Sequence, residues 1–296
     1  MRYTNPGVYG DVSLLTEEEK QQRQDINDHF TSARNTKRLL KVSEVFTSLQ
    51  GEGPYRGLKA AFLRLAVCNL HCWYCDTKYT WLYNNTLLET VRSDIETIRA
   101  QPPADLKVYD PRNEVKEMPL EEVELQLLNS NQSHLVITGG EPMLQQSALI
   151  LLLQQLKRKK AENNDYLFVE VETNGTAKPL PGIVPLVDHW NVSPKLSSSG
   201  NAAPTIRERS EVLRFFGKLP NVVFKFVVQS MEDLKEIENL AKKCDIAPSK
   251  ITLMPEGTEA QILNERSTWL MKVCEDVGYQ FSTRLHILLW GNKRGT

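Results

Sequence analysis

The 296-residue chain is long enough for one large α/β domain or two smaller ones, at roughly 100–200 residues per domain. A net charge of −1 and a pI near 6.6 argue against a general nucleic-acid binder, which would be strongly basic. No apolar run reaches the roughly 18 residues needed to span a bilayer, and Met1 to Gly10 lacks the apolar segment of a secretory signal, so the chain reads as cytoplasmic with no membrane or nucleic-acid partner.

Residues 1–38 read as a polar extension in which Thr16 and Glu19 could cap a short helix. Its composition suits a solvated tail, and it carries too many acids for a mitochondrial transit peptide. Lys41 to Thr47 is a predicted strand running into the turn-rich Ser48–Pro54. Ala60 to Val67 is a second, apolar almost throughout, as expected of a strand buried on both faces. A dense cysteine loop follows it directly. Leu87, Val91, Ile95 and Ile98 predict a helix over 86–100. Residues 101–119 read as an irregular insert (the whole excursion spanning about 84–119), and a helix over 120–128 starts at Pro119.

A short strand over 135–138 ends in Gly139-Gly140-Glu141-Pro142, and a helix over 143–160 ends in Lys157-Arg-Lys-Lys160, read as dipole-compensating surface charge. Strands over 166–172 and 189–192 end in Thr173-Asn-Gly175 and Ser193-Pro-Lys195. Ser197 to Thr205 reads as a mobile loop. Then come a short helix over 212–218, a strand over 222–228, a helix over 231–243 with Ser230 as N-cap, a strand over 251–254 ending in Pro255-Glu-Gly257, a helix over 259–277 and a last strand over 281–289. Strand, polar loop and helix recur about six times, which predicts parallel βαβ units. A complete barrel needs about 250 residues and eight units. The expectation is therefore an α/β fold, an open partial (β/α) barrel of about six parallel strands over 39–296.

Three of the five cysteines fall in Cys68-Asn-Leu-His-Cys72-Trp-Tyr-Cys75. Thiolates this dense converge on a common point and select soft metals or iron–sulfur clusters. A structural zinc site closes with four protein ligands, whereas the local set stops at three unless His71 folds back between the cysteines. Plain buried thiols are the other bland reading, although Asn69, Trp73 and Asp76 make the loop too polar for a core segment. Cys244 and Cys274 lie in helical patterns and read as small core residues. A cubane cluster on three cysteines keeps one iron open, and C-x3-C-x2-C resembles the radical SAM superfamily, which binds S-adenosylmethionine (SAM) there. In Gly139-Gly140-Glu141-Pro142, two glycines permit close backbone approach and Glu141 can accept from an ammonium. An ordinary strand-to-helix turn is the other reading, and the superfamily resemblance favours the element that holds the SAM amino group.

The full set resembles one family, 7-carboxy-7-deazaguanine synthase (QueE). The matching residues are Ser48-Leu-Gln-Gly-Glu-Gly53, Phe62-Leu-Arg64-Leu65, Cys68 through Thr77, Thr138-Gly-Gly-Glu-Pro142, Glu172-Thr-Asn-Gly175 and Ser193-Pro-Lys195. The resemblance implies a homodimeric enzyme with a shortened barrel. It implies conversion of 6-carboxy-5,6,7,8-tetrahydropterin to 7-carboxy-7-deazaguanine, with loss of ammonia, toward queuosine and related deazapurines. Cys68, Cys72 and Cys75 would hold a [4Fe–4S] cluster, fed by a flavodoxin- or ferredoxin-like donor. Tyr74, Cys75, Asp76, Gly140, Glu141, Glu172, Ser193, Pro194, Lys195, Met254, Pro255, Glu256 and Gly257 would contact SAM. Leu49, Gln50, Gly51, Glu52, Arg64, Thr138, His286 and Thr296 would contact the pterin, and Thr77 would ligate Mg2+. Arg64, on a buried strand, needs an anionic partner, either a core carboxylate or the substrate's. Two other readings share some of these residues: a glycyl-radical-activating radical SAM enzyme, and a non-catalytic zinc or iron–sulfur interaction module.

Overall fold

A computed structural model describes residues 38–103, 106–201 and 203–296. The expected extension over 1–38 lies outside the described residues except for Arg38.

The architecture is one nine-stranded sheet, ordered β3-β1-β2-β4-β5-β6-β7-β8-β9. Its strands are β1 (Leu39–Leu49), β2 (Lys59–Leu65), β3 (Lys116–Pro119), β4 (His134–Gly139), β5 (Phe168–Thr173), β6 (His189–Val192), β7 (Val222–Val228), β8 (Ile251–Pro255) and β9 (Gln280–Phe281). From β2 to β9 every pairing is parallel. The parallel part thus holds six strands of four residues or more plus the two-residue β9, in an open, partial barrel. Two antiparallel strands, β1 and β3, extend the β2 edge.

Alternation along the strands explains the barrel. Leu63 and Leu65, Ile137, Val169 and Val171, Trp190 and Val192, Phe224 and Phe226, and Ile251 and Leu253 are buried in the main core. Between them on the same strands sit Arg64, Thr138, Glu170 and Glu172, Asn191, Lys225 and Thr252. Successive strand residues point to opposite faces. One face is therefore apolar and packs on helices, and the other carries the polar residues, beside a small apolar cluster of Ala60, Phe62 and Val136, and lines the interior. The surrounding helices include Gln146–Glu162, Met231–Cys244 and Ala260–Val277. The second of these starts at a capping box: the Ser230 side chain accepts from the Asp233 N–H and the Asp233 side chain accepts from the Ser230 N–H.

Three expectations need correction. The predicted strand over 281–289 is only β9 followed by a helix, Leu285–Trp290; short apolar runs do not distinguish strand from helix. The irregular insert contains β3, whose register against β1 runs from Leu39↔Pro119 to Val42↔Lys116 and buries Met118. The Ser197–Thr205 stretch contains the turn Ser197–Ser199, with Ser199 and Asn201 fully buried. Residues 197–201 are therefore packed, for reasons that appear below.

Candidate active site

The cysteine loop leaves β2 through Val67, which adopts φ +75°. That is a costly conformation for a β-branched residue, over-determined here by hydrogen bonds on both sides. Val67 N–H donates to Thr80 O at 2.6 Å, and Val67 O accepts from Glu141 N–H at 2.8 Å. The double glycine is explained by the same approach. A Cβ on Gly139 would lie 2.1 Å from Leu65 O, and one on Gly140 would lie 2.0 Å from Val67 O. The close approach expected of these glycines is thus first to the neighbouring backbone, and it holds the end of β4 against the cysteine loop.

The loop surrounds a cavity of about 450 Å3 lined by Cys68, Cys72 and Cys75 and by residues from the ends of most strands. That is where parallel barrels carry their chemistry. Each thiol has an N–H nearby: Leu70 N at 3.5 Å from Cys68 Sγ, Asn201 Nδ2 at 3.2 Å from Cys72 Sγ, and Trp81 Nε1 at 3.4 Å from Cys75 Sγ. Burial pushes the Cys68 thiol well up and the Cys72 thiol to about 11, which favours the protonated form at these two positions unless a cation is bound. Three thiols lining one cavity, with N–H groups at the sulfurs, fit an iron–sulfur cluster. They do not fit the zinc knuckle. His71 Nε2 is 3.0 Å from Asp94 Oδ2, so the imidazole is buried against a carboxylate of a neighbouring helix. Among the described residues, no group of three or more His, Cys, Asp or Glu side chains is placed to hold a single ion.

Beyond the thiols, the walls are charged. Glu172 accepts from Thr138 Oγ1 at 2.7 Å and lies 3.6 Å from Lys225 Nζ. Lys225 also pairs with Glu52, whose other oxygen receives Arg284 Nε at 3.0 Å. Arg284 continues to Asp76 and to Gly257 O at 2.7 Å. Burial would push Glu52 up, but Lys225, Arg284 and His286 outweigh it and hold its carboxyl well below the usual range. One charge chain therefore runs from the cysteine loop across the cavity to β5 and β7. The loop between β1 and β2 closes the other end. Tyr55 packs its ring on His134, Phe168 and His189, the first residues of β4, β5 and β6. Gln50 Nε2 donates to Glu170 at 2.8 Å, and Gly51 O accepts from Leu285 N–H at 2.8 Å.

A family model for the radical SAM superfamily matches residues 64–194. A 7-carboxy-7-deazaguanine synthase from Pyrobaculum aerophilum is 33% identical over 257 residues, covering 86% of this chain and 97% of that protein. This chain belongs to the 7-carboxy-7-deazaguanine synthase family. The synthase of Rhodopirellula baltica is 31% identical over 280 residues, 89% of this chain and 91% of that protein. The crystal structure of QueE from Escherichia coli shares the fold, with a TM-score of 0.58 at 23% identity, covering 92% of this chain and 99% of that one.

For a member of the 7-carboxy-7-deazaguanine synthase family, most expected site residues converge. Leu49, Gln50, Gly51, Glu52, Arg64, Tyr74, Asp76, Thr77, Thr138, Gly140, Glu172, Ser193, Lys195, Met254, Glu256, Gly257, His286 and Thr296 all line the cavity. Glu141 does not. Its carboxylate is fully buried and accepts from Met143 N at 3.0 Å, Thr173 Oγ1 at 2.6 Å and Asn174 N at 2.7 Å. These three bonds brace the turn after β4, while its charge still acts on Cys68 and Lys195, which line the cavity. Pro194 and Pro255 are likewise absent from the lining; they shape the backbone beside residues that are in it. Arg64 lines the cavity with Nε 3.0 Å from Glu44 Oε1, off the axis of a hydrogen bond, and its guanidinium 5.3 Å from the Phe46 ring centre. Lys225, Arg284 and Asn201 were not singled out from the sequence. Only Lys225 carried a local signal, as the one charge inside the apolar run Val222–Val228.

Proposed function

We propose that this protein converts 6-carboxy-5,6,7,8-tetrahydropterin to 7-carboxy-7-deazaguanine, contracting the ring with loss of ammonia on the route to queuosine and related deazapurines. Family membership supports the activity. The observation that carries it to this chain is the single cavity in which three thiols face a wall of paired charges. In this reading Cys68, Cys72 and Cys75 hold a [4Fe–4S] cluster, which with SAM supplies one-electron cleavage chemistry when bound. Tyr74, Asp76, Gly140, Ser193, Lys195, Met254, Glu256 and Gly257 lie on the SAM side. Gln50, Glu52, Arg64, Thr138, His286 and Thr296 lie on the pterin side. Glu172, bonded to Thr138 and paired with Lys225, belongs with the pterin group: a carboxylate fixed there accepts N–H groups from the pyrimidine edge. Arg64, its arm steadied by Glu44 and Phe46, supplies the cation for the substrate carboxylate.

Thr77 is the proposed Mg2+ ligand. Its Oγ1 lies 3.5 Å from Cys75 Sγ, and Mg2+ completes its octahedron with waters and substrate oxygens when a protein supplies few ligands. A flavodoxin- or ferredoxin-like donor and a homodimer complete the proposal. Among the described residues no helix is long and apolar enough to cross a membrane. The test is anaerobic SAM cleavage with and without the carboxytetrahydropterin. Turnover that needs the pterin, rises with Mg2+ and loses that rise in Thr77→Ala supports the reading. Cleavage indifferent to both pterin and Mg2+ would favour a glycyl-radical-activating enzyme instead.

A further inference from the structure

The packed loop after β6 is fastened to the cysteine loop. Trp73 donates its N–H to Ser199 O at 3.1 Å and its Nε1 to Ser198 O at 2.8 Å. His71 N–H donates to Asn201 Oδ1 at 2.8 Å. Asn201 itself is fully buried and adopts φ +50°, a left-handed conformation that asparagine tolerates better than most residues. Its backbone is held at both ends: N–H to Asp94 Oδ2 at 2.7 Å, and O accepting from Arg207 at 3.2 Å. With the backbone and Oδ1 fixed, Nδ2 is left 3.2 Å from Cys72 Sγ and 3.2 Å from Ser199 Oγ. This is the shortest of the three N–H···S contacts at the cysteines, and it comes from a residue 129 positions away.

We propose that Asn201 is a positioning residue whose amide N–H raises the reduction potential of the cluster through Cys72. The inference rests on the cluster reading of Cys68, Cys72 and Cys75. When one electron arrives from an external reductant, negative charge grows on the cluster and its thiolate sulfurs. An N–H aimed at one of those sulfurs stabilises the reduced state more than the oxidised one. Because Asn201 is already bonded on every other side, its dipole is in place before the electron arrives, and no reorganisation is required. Removing this donor should make reduction about tenfold harder, which for a one-electron couple is about 59 mV.

The experiment is anaerobic redox titration with dithionite, followed by electron paramagnetic resonance, on iron-loaded full-length protein. Wild type, Asn201→Gly, Asn201→Asp and Glu236→Ala are compared. Glycine keeps the left-handed backbone and removes the donor without adding charge. Aspartate keeps the shape and the acceptor for His71 N–H but loses the N–H. Glu236 anchors the same loop through Ser197 N at 2.9 Å and Arg207 at 3.4 Å and contacts no sulfur. The expected result is a negative shift of about that size in Asn201→Gly, a larger one in Asn201→Asp and none in Glu236→Ala. A shift in Glu236→Ala equal to that in Asn201→Gly would reduce Asn201 to a loop clamp and overturn the inference. So would an unshifted potential in both Asn201 variants, or failure of both to load iron with native circular dichroism. Stoichiometric zinc without iron in wild type would instead remove the cluster reading itself.

Discussion

Arg284→Met isolates the charge chain that ties the cysteine loop to the rest of the cavity. Arg284 is 7% exposed and bridges Glu52, Asp76 and Gly257 O. Methionine fills a similar volume but strands two partly buried carboxylates and a carbonyl. Breaking a buried pair by removing one partner costs about 3–5 kcal/mol. Glu52 keeps Lys225 and the Asp76 side chain is 31% exposed, so the expected loss lies at the low end of that range, about 3 kcal/mol. The assay is urea unfolding at pH 7.5 under reducing conditions, read by far-ultraviolet circular dichroism. Glu52→Gln on its own and in combination completes a cycle. Neutralising Glu52 relieves part of what Arg284→Met exposes, so the double variant should lose at least about 1 kcal/mol less than the sum.

The pH dependence has a definite sign. The depressed Glu52 carboxyl contributes stability that is present above its unfolded value near 4.5 and is lost as pH falls. The gap between wild type and Arg284→Met should therefore narrow as pH drops below about 4.5. A loss under about 1 kcal/mol at pH 7.5, or strict additivity in the cycle, would refute the reasoning.

Further outcomes follow from the same geometry. Arg64→Ala should cost about 2–5 kcal/mol in kcat/KM for the pterin with little loss of fold, because Glu44 keeps Tyr79 Oη at 2.5 Å and Arg294 at 3.4 Å; steady-state kinetics beside thermal melts check both halves. Gly140→Ala pushes a methyl into Val67 O and should cost about 3 kcal/mol, the top of the overpacking range, and iron content after anaerobic reconstitution should fall with it. Burial drives His189 down to about 4 from 6.5, so the unfolded chain takes up its proton first. The stability from neutral His189 is full above pH 6.5 and is lost as pH falls toward 4, by about 3 kcal/mol at about 1.4 kcal/mol per decade. His189→Gln should flatten that part of the stability–pH curve, measured by denaturant midpoints from pH 4.5 to 7.5.

The cysteine loop, the polar strand ends and the βαβ rhythm were legible because each is written in adjacent residues. Long-range pairings were not. Arg284 meets Glu52 across 232 positions and Lys225 meets it across 173, and nothing local marks either match. Glu141 shows a different limit. A carboxylate after Gly-Gly suits a ligand-facing turn, and its bonds to Thr173 and Asn174 could not be read from the sequence because they come from the end of β5. β3 escaped notice because its hydrogen bonds come from β1 and only Met118 of its four residues is buried. The loop over 197–201 looked mobile by composition, yet small polar residues are what a tight clamp on Trp73 and Cys72 requires.

The central claim is tested most directly by identifying the product. Iron-loaded protein is incubated anaerobically with dithionite, SAM, Mg2+ and 6-carboxy-5,6,7,8-tetrahydropterin, and the mixture is read by mass spectrometry with ammonia measured in parallel. The account predicts 7-carboxy-7-deazaguanine and one ammonia per product, both absent in Cys72→Ala. Recovery of unchanged pterin from a protein that holds a full cluster and cleaves SAM would contradict it.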